Sequence, residues 1–196
     1  MYNQNIIINL MSKIIDHLYL GSYEDIKNKF YISIDAKLII NVTKECKYDI
    51  DIPQIKMEYA DNPNVDILEN VDSVLDTIHQ HISKHETVFV HCYMGKSRSV
   101  TIILAYLITH QNFTLKEAFD HVRTIRNINP NIGFIRKLIA YEYDKKFIIT
   151  LDYHDAVIEY ITQLLDLDKD YVKRIYSENN MDADRTIDVI FKPKKN

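Results

Sequence analysis

Apolar and polar positions alternate in two distinct rhythms along this chain. Residues 14–20 alternate loosely and end at Gly21, which predicts one or two short strands. A short helix is expected from Tyr23 to Phe30. Lys37 to Val42 is a continuous apolar run, the mark of a strand buried on both faces. Ile55, Met57 and Tyr59 alternate over 54–59, a further strand, and Asp61-Asn62-Pro63-Asn64 reads as a turn. Asp66 and Glu69 stand in capping-box spacing. A helix is therefore expected from Asp66, carrying Ile67, Val71, Val74, Leu75, Ile78 and Ile82 on one face. Thr87 to Val90 is a short buried strand. Helices follow from about Arg98 to Thr109, from the Thr114/Glu117 capping box to about Ile125, and from an Asn131 cap to about Lys146.

Strands mixed with amphipathic helices imply an α/β layer fold, with a mostly parallel central sheet and helices on both faces. After residue 150 the strand rhythm stops. Three helical patterns, about 153–165, 168–177 and 183–191, suggest a small all-helical appendage. The expected division is an N-terminal extension at 1–11, a main domain at 12–150 and the appendage at 151–196.

Composition narrows the class. With 46% apolar and 27% charged residues among 196, a packed core is expected and wholesale disorder is not. A net charge of −4 lacks the basic excess of a general nucleic-acid binder, so no nucleic-acid partner is expected. Two cysteines, Cys46 and Cys92, make no disulfide framework and favour a reducing compartment. Apolar stretches such as Ser99 to Leu107 fall far short of a membrane span. Residues 1–11 lack a basic start and a cleavage site, so no signal peptide is read there. The expected location is the cytoplasm, with the nucleus also open, and no membrane association.

The chemistry concentrates at 87–101, Thr-Val-Phe-Val-His-Cys-Tyr-Met-Gly-Lys-Ser-Arg-Ser-Val-Thr. Cys92 ends a strand and a helix opens six residues later. A free thiol, with a pKa of about 8.5, is mostly protonated at neutral pH, and helix N-termini and cations lower such values to roughly 3.5–7.5. A five-residue loop can curl so that the N–H groups of Tyr93, Met94, Gly95, Lys96 and Ser97 face an anion. Arg98 adds a planar fork for two phosphate oxygens. Gly95 permits a backbone conformation that a side chain resists. Ser99 can donate a hydrogen bond to the Cys92 sulfur, and His91 is expected to orient the loop rather than act as a base.

The run His91-Cys92-x5-Arg98-Ser99 resembles the signature of the protein tyrosine phosphatase superfamily, and Gly95 with Ser97-Arg98-Ser99 resembles its dual-specificity branch. The resemblance extends over roughly 12–148, through Leu18-Tyr19-Leu20-Gly21-Ser22, Asn41-Val42-Thr43, and Arg126 followed by Asn129-Pro130-Asn131 and Phe134. Asn127 stands where that family usually has a proline. The resemblance implies a phosphocysteine intermediate, no cofactor, no metal, and a general acid about thirty residues before the cysteine. Asp61 fits that place, and Asp66 is its rival, better suited to a helix cap.

The resemblance further implies a phosphoprotein substrate carrying phosphotyrosine or phosphoserine/phosphothreonine. Two alternatives stay open at this point: the same chemistry on an RNA 5′ phosphate or a phosphoinositide, and a catalytically weak phosphate-binding module. Cys46 is a candidate to protect Cys92 by a disulfide under oxidation. Residues 151–196 loosely resemble a ubiquitin-associated domain, which would bind ubiquitin. Dimerisation and completion of the core are the other readings of that segment.

Overall fold

The computed structural model describes residues 11–191; the expected extension at 1–11 lies outside the described residues except for Met11. Five strands form one sheet in the order β1-β2-β5-β3-β4. Strands β1 (Ser12–Ile15) and β2 (Leu18–Gly21) make an antiparallel hairpin. Strands β3 (Ala36–Asn41), β4 (Gln54–Lys56) and β5 (Thr87–His91) continue the sheet, and all pairings beyond the hairpin are parallel. Gly21 pairs with His91, His91 with Asn41, and Asn41 with Lys56. Four strands therefore end at one level, and the chain segments that follow them gather at one edge. In open α/β sheets this carboxyl edge is where ligand crevices form.

The period-2 pattern decides the layers. Leu38 and Ile40 of β3 and Val88 and Val90 of β5 face a large core, while Ile39 and Phe89 face the opposite side. The smaller side is covered by helices α1 (Tyr23–Lys27) and α2 (Phe30–Ser33) through Ile26 and Tyr31. The larger is covered by α3 (Asp72–Ser83), α4 (Arg98–His110), α5 (Leu115–Ile125) and α6 (Ile132–Lys146). Helix α4 is buried from Arg98 to Ile108. This accounts for its apolar character all round, because it has neighbours on every face. Each fully buried Leu, Ile or Val contributes about 1.5–3 kcal/mol relative to exposure.

Three predicted elements need correction. The helix expected from Asp66 begins only at Asp72. Residues 67–71 are turns, and Asn70 takes a left-handed conformation (φ 54°) that interrupts any helix. Ile67 and Val71 are nevertheless buried, so the apolar pattern marked core without marking helix. The segment 23–30 splits because Lys29 is left-handed (φ 56°), giving α1 and α2. The strand expected over 54–59 is also shorter, ending as β4 at Lys56: a bond from Met57 N–H to Asn41 O (2.8 Å) closes the pairing.

Beyond α6 the chain turns at Phe147 and enters three helices, α7 (Tyr153–Leu165), α8 (Lys169–Glu178) and α9 (Ala183–Phe191). Asp152 and Asp168 cap α7 and α8 by accepting from Asp155 N–H and Tyr171 N–H (both 2.9 Å). Val157, Ile158, Ile161, Val172 and Tyr176 form a separate small core, against which Ile132 of α6 also packs. The connection is pinned by Glu142, fully buried in α6. It accepts from Leu115 N–H (2.6 Å), Thr150 N–H (2.9 Å) and Thr150 Oγ1 (2.7 Å).

Candidate active site

Strand β5 carries His91 and Cys92 to the carboxyl edge of the sheet, and α4 starts at Arg98. The loop between them is held by its backbone and by its floor. Gly95 has φ +68°, and a Cβ there would lie 2.5 Å from Gly21 O and 2.6 Å from Arg126 Nη2, so only glycine fits. Arg126 is buried beneath the loop and donates to Gly95 O (2.8 Å) and Met94 O (3.2 Å), consuming carbonyls that would otherwise repel an anion. Asn129 N–H donates to Lys96 O (2.8 Å).

Cys92 is buried, and its sulfur accepts from Gly95 N–H (3.2 Å) and Ser99 Oγ (3.1 Å). Both donors favour negative charge on that atom. His91 sits directly beneath. Its Nδ1–H donates to Cys92 O (3.2 Å), which leaves Nε2 to accept from the Tyr48 hydroxyl. Burial pushes the His91 pKa down to about 4, Arg98 adds to that, and the Cys92 carbonyl bond only partly opposes it. A neutral imidazole is thus wedged between two partners, the Cys92 carbonyl and the Tyr48 hydroxyl.

Arg98 is almost fully buried. Nη1 donates to Tyr59 O (3.0 Å), and Nη2 pairs with Glu45 Oε1 at 2.6 Å. Nε lies 3.6 Å from Asp61 Oδ2, an ion pair beyond hydrogen-bond length. Burial works against the charge, but the Glu45 bond and the charges of Cys92, Glu45 and Asp61 outweigh it and hold the pKa above its ordinary value. The same bond holds the Glu45 carboxyl below its usual range.

Asp61 lies five residues beyond the end of β4 and reaches the loop. Its Oδ1 accepts from Ser97 Oγ (2.8 Å) and Asn131 Nδ2 (2.7 Å). Ser97 Oγ in turn accepts from Asn131 N–H (3.2 Å). One serine and one asparagine thus join the 61–64 loop, the 92–98 loop and the start of α6. The 61–64 loop is pressed onto α6 at Gly133, where any side chain would collide with the Pro63 backbone. Asp66, the rival acid, is elsewhere, paired with Lys137 at 3.7 Å.

Cys92, Tyr93, Met94, Lys96, Ser97, Arg98 and Asp61 line one cleft of about 590 Å³. Tyr93 and Met94 form its exposed lip, and Tyr93 stacks on Tyr23 (centroids 6.4 Å apart), which stacks on Tyr48 (6.2 Å). Cys46, the second free thiol, is buried outside this lining, and burial raises its pKa. Sequence reasoning missed five residues. Glu45 follows the end of β3, the strand beside the nucleophile's own, and that adjacency was the available signal. Tyr48 left no local signal. Nor did Tyr160, Gln163 and Leu164 of α7, which complete the cleft wall.

The comparisons with known proteins agree with this geometry. Residues 18–144 match the family model described as "Dual specificity phosphatase, catalytic domain". Human dual specificity protein phosphatase 14 is 36% identical over 137 residues, covering 67% of this chain and 69% of its own. The crystal structure of DUSP15 superposes with a TM-score of 0.67 at 26% identity, covering 71% of this chain and 92% of that one. Human DUSP28 shares the fold, with a TM-score of 0.65 at 23% identity, covering 68% and 93%. With a thiol, a buried guanidinium and a carboxylate converging on one loop at the carboxyl edge of such a sheet, the chain belongs to the dual specificity phosphatase family of the protein tyrosine phosphatase superfamily, phosphoric monoester hydrolases that use a cysteine to dephosphorylate phosphotyrosine and phosphoserine or phosphothreonine.

Proposed function

We propose the following division of labour in the cleft. The Cys92 thiolate attacks phosphorus in line with the ester oxygen. Arg98 and the N–H groups of the 93–98 loop bind the non-bridging oxygens and stabilise the charge that develops there. Asp61, as the acid, gives its proton to the departing oxygen while the P–O bond breaks and an S–P bond forms. The free alcohol or phenol leaves a phosphocysteine. Asp61, now a carboxylate, takes a proton from water, whose oxygen attacks phosphorus and releases the Cys92 sulfur. Ser99 Oγ, 3.1 Å from that sulfur, stabilises it as it leaves. Glu45 and the Tyr59 carbonyl position Arg98, while Asn131 and Ser97 position Asp61.

The observation that carries this reading is the convergence on Cys92 Sγ of two donors within 3.2 Å, with Arg98 and Asp61 lining the same cleft. Phosphoprotein is the substrate class that fits best. Lys96 and Arg98 are the cations of the lining, and Arg98 is already paired, which suits a polyanionic inositol lipid or RNA end poorly. A mere binding module would not need the Ser99–Cys92 contact. Cys92→Ser is expected to lower hydrolysis of an aryl phosphate by at least ~10⁴-fold. Retained turnover in that variant would refute the scheme.

On this reading 12–150 is the main domain and carries the reacting groups, and the chain from 151 is an appendage that is helical up to Phe191, the last described residue. Exposed Met181, Val189 and Phe191 support a second role for the appendage in partner contact, with ubiquitin or with a second copy of the chain. A ubiquitin pulldown and the solution mass separate these outcomes. Two buried free thiols suit a reducing compartment, the cytoplasm or nucleus.

A further inference from the structure

Helix α7 lies outside residues 18–144, yet it forms one side of the catalytic cleft. Tyr160, Gln163 and Leu164 share one face of the helix by their spacing and line the same cleft as Tyr93 and Met94. The helix is fixed in that place. Arg136 donates to the Tyr153 hydroxyl (2.9 Å) and covers the Tyr153 ring at 5.1 Å. Arg123 of α5 pairs with Glu159 at 3.4 Å, and Glu159 accepts from Gln163 Nε2 (2.9 Å), bracing the wall from behind. Burial and the nearby charge of Asp61 both raise the pKa of the Tyr160 phenol, which lines the same cleft as Asp61.

A wall of this kind acts on the leaving group rather than on the phosphoryl group. The floor, at Cys92 and Arg98, treats every phosphate monoester alike. An aromatic ring and a leucine from α7 and an aromatic ring and a methionine from the 93–94 segment line the rest of the cleft. A phosphotyrosine side chain puts its own ring between them while its main chain stays outside. A phosphothreonine side chain has no ring, and its main chain must come down between the walls to bring phosphorus to the sulfur.

Resting on the phosphatase reading above, we propose that α7 is the substrate-selecting wall of the active site, with Tyr160 and Leu164 holding the ring of phosphotyrosine against Tyr93 and Met94. The chain thereby favours phosphotyrosine over phosphothreonine peptides. Leu164 is 49% exposed and lies outside the helical unit's core, so truncating it leaves the packing intact. Tyr160 packs partly against that core.

The test measures kcat/KM for two peptides of one sequence, differing only in phosphotyrosine or phosphothreonine. In Leu164→Ala the phosphotyrosine/phosphothreonine ratio is expected to fall about threefold, through KM for the phosphotyrosine peptide. In Tyr160→Ala/Leu164→Ala it is expected to fall about tenfold, while Tyr160→Phe, which keeps the ring, stays within about twofold of wild type. An unchanged ratio in Leu164→Ala overturns the proposal even if the double variant fails to fold. Wild-type protein inactive on both peptides would overturn the phosphatase reading, and this proposal with it.

Discussion

The loop from Cys92 to Ser99 and the helical unit from Tyr153 to Phe191 are held in different ways. The loop is tied by polar contacts from remote parts of the chain: Arg126 to its carbonyls, Asp61 and Asn131 to Ser97, Glu45 and Tyr59 to Arg98, and Tyr48 to His91. Few substitutions preserve such a set, because removing one partner leaves another buried polar group unpaired. Internally, the helical unit instead rests on a five-residue apolar core and on caps made within the first turns of α7 and α8. Many sequences satisfy those demands. A region whose geometry depends on specific long-range partners advertises its chemistry; one built from generic packing does not.

The largest expected effect breaks the loop's side of this contrast. Asp61→Asn is expected to lower kcat/KM on a phosphothreonine peptide about 100- to 1000-fold, and far less on an aryl phosphate whose leaving group needs no proton. Equal losses on both substrates would show that Asp61 acts on structure alone. The next concerns the floor of the loop. His91 stays neutral in the fold, with its pKa moved from the ordinary 6.5 to about 4. The unfolded chain takes up a proton on that imidazole below pH 6.5 and the folded chain does not. This contribution to stability is full above pH 6.5 and is lost as pH falls toward 4, by up to about 3 kcal/mol. Urea unfolding at pH 7 and pH 5 reads it. The slope with pH is expected to flatten in His91→Asn, and an unaltered slope contradicts the assignment.

The smallest tests the joint between the two regions. Glu142→Gln replaces a buried acceptor of three hydrogen bonds and is expected to cost about 1–2 kcal/mol in unfolding free energy. Faster hydrogen exchange at Thr150 and Leu115 is expected to accompany it. If exchange there stays at the wild-type rate, the connection is held by something else.

The same contrast explains what could be read in advance. Strands β3 and β5 and the six helices from α4 to α9 were legible, because apolar period and caps such as Thr114/Glu117 are local. The loop residues were legible because their chemistry imposes residue types at fixed spacing. Asp66 misled because a capping-box spacing does not form the box: a left-handed Asn70 ends the turn first. Glu45 carried only the weak signal of following a strand end, while Tyr48 and the α7 wall were illegible because each joins the site from a remote part of the chain, and only the folded chain shows that Tyr160 and Leu164 line the cleft of Cys92.

The central claim is that the phosphoryl group passes through the sulfur of Cys92. Rapid acid quenching of the wild-type protein during turnover of an activated aryl phosphate, followed by peptide mass analysis, examines it directly. The expected result is a phosphoryl group on the peptide containing Cys92, present in the early milliseconds and absent from Cys92→Ser. Steady turnover with no phosphorylated peptide, or a phosphoryl group on any residue other than Cys92, would contradict it.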